Sequence, residues 1–130
     1  MFFTLHVLFM ATATLGIIAG IGTAIFFRRK NNWLKIHKAL NSFGFCGTVA
    51  GIIMVFMYIS GTGGTHIDGI HQITGSAAFI FTLVTLLAGF YQFKARNKSA
   101  VRTTHRWLGR LSLFLLLAAV TLGLALINII

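Results

Sequence analysis

Histidine is the residue in this chain best suited to chemistry. Four of its five histidines, His6, His37, His71 and His105, lie in apolar surroundings. An imidazole in lipid is costly unless it has a partner, so each marks a candidate functional site. Two of them open a shared pattern, His71-Gln72-Ile73-Thr74-Gly75 and His105-Arg106-Trp107-Leu108-Gly109. A glycine one helical turn beyond an imidazole lets a flat, bulky ligand lie against the backbone. Arg102, Arg106 and Arg110 surround His105, and Lys35 and Lys38 flank His37. Cations so placed can pair with carboxylates of a bound group.

The elements that must position these groups are four apolar runs, Thr4–Phe27, Trp33–Ser60, Ile67–Phe93 and Thr104–Ile129. Each reaches the roughly 20 residues needed to cross a hydrocarbon core. An open sheet would leave backbone groups unpaired in lipid, so helix is the expected form. The expected architecture is therefore an all-α integral membrane protein, an up-down-up-down four-helix bundle forming a single domain over residues 1–130. Composition agrees: 57% of residues are hydrophobic, proline is absent and mean hydropathy is +0.89, where soluble domains have about 45–50% apolar residues. The amino terminus lacks a charged n-region and its apolar run continues to Phe27, which predicts a retained span rather than a cleaved signal.

The net charge of +10 does not indicate nucleic acid, because the basic residues are confined to two stretches between apolar runs. Arg28, Arg29, Lys30, Lys35 and Lys38 flank the first connection; Lys94, Arg96, Lys98, Arg102, Arg106 and Arg110 flank the third. The positive-inside rule places both connections in the cytoplasm, with both termini and the glycine-rich turn Gly61–His66 outside. A single cysteine, Cys46, excludes an internal disulfide and a four-cysteine metal or iron–sulfur site. It is expected to be a small buried hydrophobe. Gly16 and Gly20, Gly47 and Gly51, Gly89 and Gly123 are expected to serve helix packing.

Alternating helix direction puts His6 and His71 near the outer face and His37 and His105 near the inner face. Alternate helices of such a bundle are diagonal across its core, so two imidazoles at each level could hold one iron from opposite sides of a porphyrin. The levels are about 22–27 Å apart at 1.5 Å per residue. Zinc would want three or four ligands at one level. A proton path would usually recruit acids within the spans, and the single acid, Asp68, lies in the outer turn region. With no C-x-x-C-H, a covalent c-type haem is not expected. Two non-covalent, bis-histidine b-type haems are. His66 is expected to be an exposed polar residue, with contact to a haem propionate or an external acceptor as the sharper role; it is also the rival of His71 as outer ligand.

The chain resembles the cytochrome b561 family, specifically the four-helix core of its ferric-reductase-like and DOMON-linked members. The resemblance rests on His6 with Met10, Trp33 through Asn41 leading to Gly44, His71 through Gly75 with Gln92, and Arg102 through Gly109. It implies two haems b, held by His6/His71 outside and His37/His105 inside, with Lys35, Arg102, Arg106, Gly75 and Gly109 near them. It also implies cytoplasmic ascorbate as donor, and monodehydroascorbate or ferric iron as outer acceptor. A core of four spans leaves room for a quinol or a redox protein instead. The expected function is transmembrane electron transfer in a lipid setting, as a ferric- or monodehydroascorbate-reductase-like oxidoreductase if the chain acts alone. The alternative is a haem-containing anchor or relay subunit of a larger complex, or a homodimer. A small transporter using histidines for metal ions or protons is the third class, separable by haem content.

Overall fold

The computed structural model describes residues 1–128 and contains four helices: α1 (Phe2–Phe26), α2 (Trp33–Thr62), α3 (Ile70–Tyr91) and α4 (Lys98–Leu126). All four are long and apolar enough to cross a membrane, as the apolar runs predict. The end of the fourth predicted run, Ile129, lies outside the described residues. The chain divides into two compact units, Met1–His66 with α1 and α2, and the remainder from Ile67 with α3 and α4.

Several boundaries differ from hydropathy by one to six residues, and local structure accounts for the main ones. α4 starts at Lys98, six residues before its apolar run, because the Asn97 side chain accepts a hydrogen bond from the Ala100 backbone N–H at 3.1 Å. That cap satisfies one of the donors a helix start leaves open, and polar residues can then occupy the first turns outside lipid. α2 runs on through Gly61 and Thr62 until Gly63 takes a left-handed φ of 70°; the Gly63 and Gly64 N–H groups both return to the Ile59 carbonyl. Glycine adopts that backbone conformation without the Cβ penalty. α3 starts only at Ile70, after an extended Gly69, and is shorter than its apolar run. α1 ends where the Phe27 N–H returns to Thr23 and the Arg28 side chain donates to the Ala24 carbonyl.

In the first unit, α1 and α2 pack along small residues: Ala13, Thr14, Ile17 and Gly20 against Gly44, Thr48 and Gly51, all buried. A methyl added to Gly44 would lie 2.6 Å from Ile17 Cγ1 and 2.9 Å from the Ala13 carbonyl oxygen. Small residues allow this backbone approach, which in lipid drives association through close packing. Gly16 and Gly47 join the same seam, near Gly44 and Ala13 respectively, as their spacing predicts. The buried Thr14 and Thr48 hydroxyls donate to carbonyls one turn back, at 2.7 and 2.9 Å. Cys46, expected to be buried, is exposed: two residues from Gly44, it lies about 200° around the helix from the α1 seam.

In the second unit Ala78, Ser112, Leu116 and Ala119 are buried. The Thr85 and Ser112 hydroxyls meet at 2.8 Å between the helices. Each also lies within reach of a carbonyl of its own helix, Thr85 of Phe81 at 2.6 Å and Ser112 of Leu108 at 2.8 Å; with one proton per hydroxyl, one donates across the seam while the other donates within its helix. These two hydroxyl groups share acceptors and donors, so the shared contact leaves no polar group exposed to the apolar seam.

Candidate functional site

Each of the four helices carries one half-buried histidine, and each histidine reaches the backbone of its antiparallel partner helix. His6 Nδ1 lies 2.9 Å from the Gly51 carbonyl oxygen, and His37 Nδ1 lies 2.7 Å from that of Gly20. His71 Nδ1 lies 2.9 Å from the Ala119 carbonyl oxygen, and His105 Nδ1 lies 2.9 Å from that of Thr85. A carbonyl can only accept, so Nδ1 must be the protonated nitrogen in all four rings. The neutral tautomer then carries its lone pair on Nε2, the arrangement typical of a metal-ligating histidine whose other nitrogen is held by a carbonyl.

The register is the same throughout. On every helix the accepting carbonyl belongs to the fourteenth residue after that helix's own histidine: Gly20 after His6, Gly51 after His37, Thr85 after His71 and Ala119 after His105. Each hairpin therefore holds its two imidazoles at opposite ends, separated by about 21 Å of helix at 1.5 Å per residue. That is slightly less than the separation expected from depth alone. Two hairpins with different loops have arrived at one spacing.

Around His37, Asn41 donates to the His37 carbonyl at 2.7 Å, while its contact to Nδ1 is the longer one at 3.3 Å. A methyl on Gly20 would overlap the Asn41 amide, and one on Gly51 would lie 2.9 Å from the Met10 sulfur. Gly89 and Gly123, expected only to aid helix packing, lie directly under the His105 and His71 rings. Their signal was present in the sequence: both follow the histidine of their helix by eighteen residues. The Gly20 and Gly51 carbonyls, Thr85, Ala119 and Asn41 carry no chemistry in their residue types that sequence reading could single out. They matter through backbone position.

The remaining candidates are distributed as follows. A methyl on Gly75 would meet no atom within 4 Å among the described residues, and one on Gly109 only Thr85 Cγ2 at 3.7 Å. Neither glycine is required by packing between α3 and α4. Lys35 is exposed near the start of α2, and Arg102 and Arg106 are exposed on the first turns of α4, at the His37 and His105 ends of their hairpins. The Arg110 guanidinium lies 4.7 Å over the Trp107 ring. His66 is less exposed than expected: its ring stacks on Phe56 at 4.3 Å and its Nε2 lies 3.4 Å from the Ser60 hydroxyl, because the turn folds it back along α2. Among the described residues no three His, Cys, Asp or Glu side chains converge as a metal cluster.

The family model described as eukaryotic cytochrome b561 matches residues 1–129. The chain belongs to the cytochrome b561 family. No curated protein and no solved structure matches it. Family membership makes it an integral membrane protein of the transmembrane electron-transfer class, whose members bind haem b, typically two. The donor set fits that group. Haem iron is held by an imidazole nitrogen whose ring is fixed through its other nitrogen, and four rings with Nδ1 on a carbonyl are present, one at each end of each hairpin.

Proposed function

We propose that the chain is a di-haem b561 core operating as one functional domain over residues 1–130. His6 and His71 would hold the outer haem, and His37 and His105 the inner one, both without covalent attachment. The observation that carries this reading is the common register of the four Nδ1–H donations: two hairpins present imidazoles at equal separations, so paired ligation at one end is compatible with paired ligation at the other. Bound haem would supply reversible one-electron chemistry at its iron.

What the protein supplies is position and charge. The backbone carbonyls fix each imidazole's tautomer and orientation before any ligand arrives, so no proton needs to move within the site. Gly75 and Gly109 leave the backbone one turn beyond His71 and His105 accessible to a flat ligand face. Lys35, Arg102 and Arg106 give the His37/His105 end a positive potential that attracts an anionic donor of the ascorbate type, and their guanidinium or ammonium groups can pair with propionate carboxylates. The opposite end, with the turn at Gly63 and His66, faces the acceptor: monodehydroascorbate, ferric iron or a redox protein. The basic connections lie in the cytoplasm and both termini outside.

The test is a reduced-minus-oxidised absorption spectrum of detergent-purified protein, with pyridine-haemochrome quantification, on wild type, His71→Ala and His105→Ala. The expected result is two b-type haems per chain, with about one lost in each variant. A colourless wild type from haem-sufficient cells would overturn the reading.

A further inference from the structure

Two glycines seat the rings of His71 and His105. The His105 ring lies against Gly89 of α3: a methyl placed there would be 2.9 Å from Cε1, 3.2 Å from Nδ1 and 3.6 Å from Nε2. The His71 ring lies against Gly123 of α4 in the same pose, with the corresponding distances 2.9, 3.3 and 3.6 Å. In an α-helix the carbonyl of residue i points along the axis toward residue i+4. Thr85 is four residues before Gly89, and Ala119 is four residues before Gly123. Those are the two carbonyls that accept from His105 and His71. In this hairpin the ring approaches its carbonyl across the residue at i+4, so a Cβ there would crowd the ring itself; in the α1–α2 hairpin, where Ala24 and Val55 occupy i+4, the glycine is the accepting residue, Gly20 or Gly51.

We propose that Gly89 and Gly123 are positioning residues. Each makes room for the imidazole of the opposite helix to reach one backbone carbonyl with its Nδ1–H, and each thereby sets that ring's rotation. The role is reciprocal, since each helix supplies both an imidazole and the seat for its partner's imidazole. A methyl at either position leaves the ring two ways out. It can rotate, which turns Nε2 from its direction, or it can lift away, which breaks the bond to the carbonyl. The flexible end of a long side chain could give way, but a ring held at Nδ1 by a carbonyl, and at Nε2 once haem is bound, would have little freedom to do so. The proposal rests on the di-haem reading and adds to it which haem each glycine controls: Gly89 the one bound through His105, Gly123 the one bound through His71.

The test compares Gly89→Ala and Gly123→Ala with wild type by electron paramagnetic resonance of the oxidised protein and by haem titration. His71→Ala and His105→Ala assign the two low-spin signals. Gly89→Ala is expected to shift or remove only the signal lost in His105→Ala, and Gly123→Ala only the one lost in His71→Ala. Each should weaken haem affinity at its own site by about 10-fold or more, as for other outer-shell partners of a metal ligand. Gly22→Ala, where a methyl meets no atom within 4 Å, should leave both signals in place. Two unchanged signals in both variants, or equal loss of both in each, would overturn the proposal. If a variant fails to assemble, ¹⁵N NMR of reduced wild type decides: slowly exchanging Nδ1 protons on His71 and His105 are expected, and fast exchange overturns it. A wild type without haem would instead fail the underlying reading, and this one with it.

Discussion

Asn41 is a useful place to measure how tightly an imidazole is held, because it touches both the histidine's own helix and the opposite one. Its amide donates to the His37 carbonyl at 2.7 Å, and it fills the space a methyl on Gly20 would need. Gly20 in turn supplies the carbonyl that receives His37 Nδ1–H. The two positions therefore share one small volume, and their substitutions should not add. Gly20→Ala is expected to destabilise the wild-type protein by more than it does in an Asn41→Ala background, with a coupling of about 0.5–3 kcal/mol, the range for residues in contact. Thermal or denaturant unfolding in detergent of the four proteins in the cycle measures it. Additive effects would mean that the Asn41 amide moves aside freely and does not brace the site. At this scale the sequence was legible for the four histidines and opaque for the carbonyls that hold them. A histidine in an apolar run declares itself by type. A carbonyl that accepts from it belongs to glycine, threonine or alanine without preference, and only the register between helices selects it.

That register is a property of the hairpins, and the sequence holds it as repeated offsets. His6 and Gly20 recur as His37 and Gly51; His71, Thr85 and Gly89 recur as His105, Ala119 and Gly123. Hydropathy finds spans but not the rotation of one helix against another, so these offsets acquire meaning only once α1 faces α2 and α3 faces α4. The same blindness explains the missed start of α4, where the Asn97 cap rather than apolarity sets the boundary. It explains Cys46 as well, since burial of that residue depends on which face of α2 meets α1. Two substitutions test the packing. Gly44→Ala pushes a methyl against the Ala13 carbonyl and Ile17, at 2.9 and 2.6 Å, and the backbone atom has nowhere to yield; overpacking of this kind costs about 1–3 kcal/mol. Gly47→Ala meets chiefly the Ala13 methyl, at 3.1 Å, and should cost clearly less. Equal destabilisation on unfolding in detergent would argue against the α1–α2 seam. In the other hairpin, Thr85→Val removes the 2.8 Å hydroxyl contact with Ser112 while keeping volume. Its expected cost is about 0.6 kcal/mol, typical for an interhelical hydrogen bond in a membrane protein.

For the whole molecule, the strongest signal is electrostatic. Eleven cations and one acid distribute so that every cation lies in or beside the first and third connections, while the second connection, with Asp68 nearby, holds none. Lys and Arg near span ends resist translocation, and four spans return both termini to one side. Under the proposed function this asymmetry would set which pair of histidines faces the donor, and with it the direction in which electrons cross. The single cysteine makes the orientation directly measurable. In a Cys46→Ser background, a cysteine at Thr65 lies in the glycine-rich turn, and one at Ser99 lies in the first turn of α4 among the basic residues. A membrane-impermeant maleimide added to intact cells should label Thr65→Cys and spare Ser99→Cys, with both labelled after lysis. The reverse pattern would invert the orientation and exchange the donor and acceptor ends of the chain. Replacing Arg28, Arg29 and Lys30 by Gln should leave the labelling unchanged, because six cations beside the third connection and two at the start of α2 still hold the same side. Loss of orientation in that triple variant would instead assign the topology to the first connection alone, and would leave the cations around His105 to the site rather than to insertion.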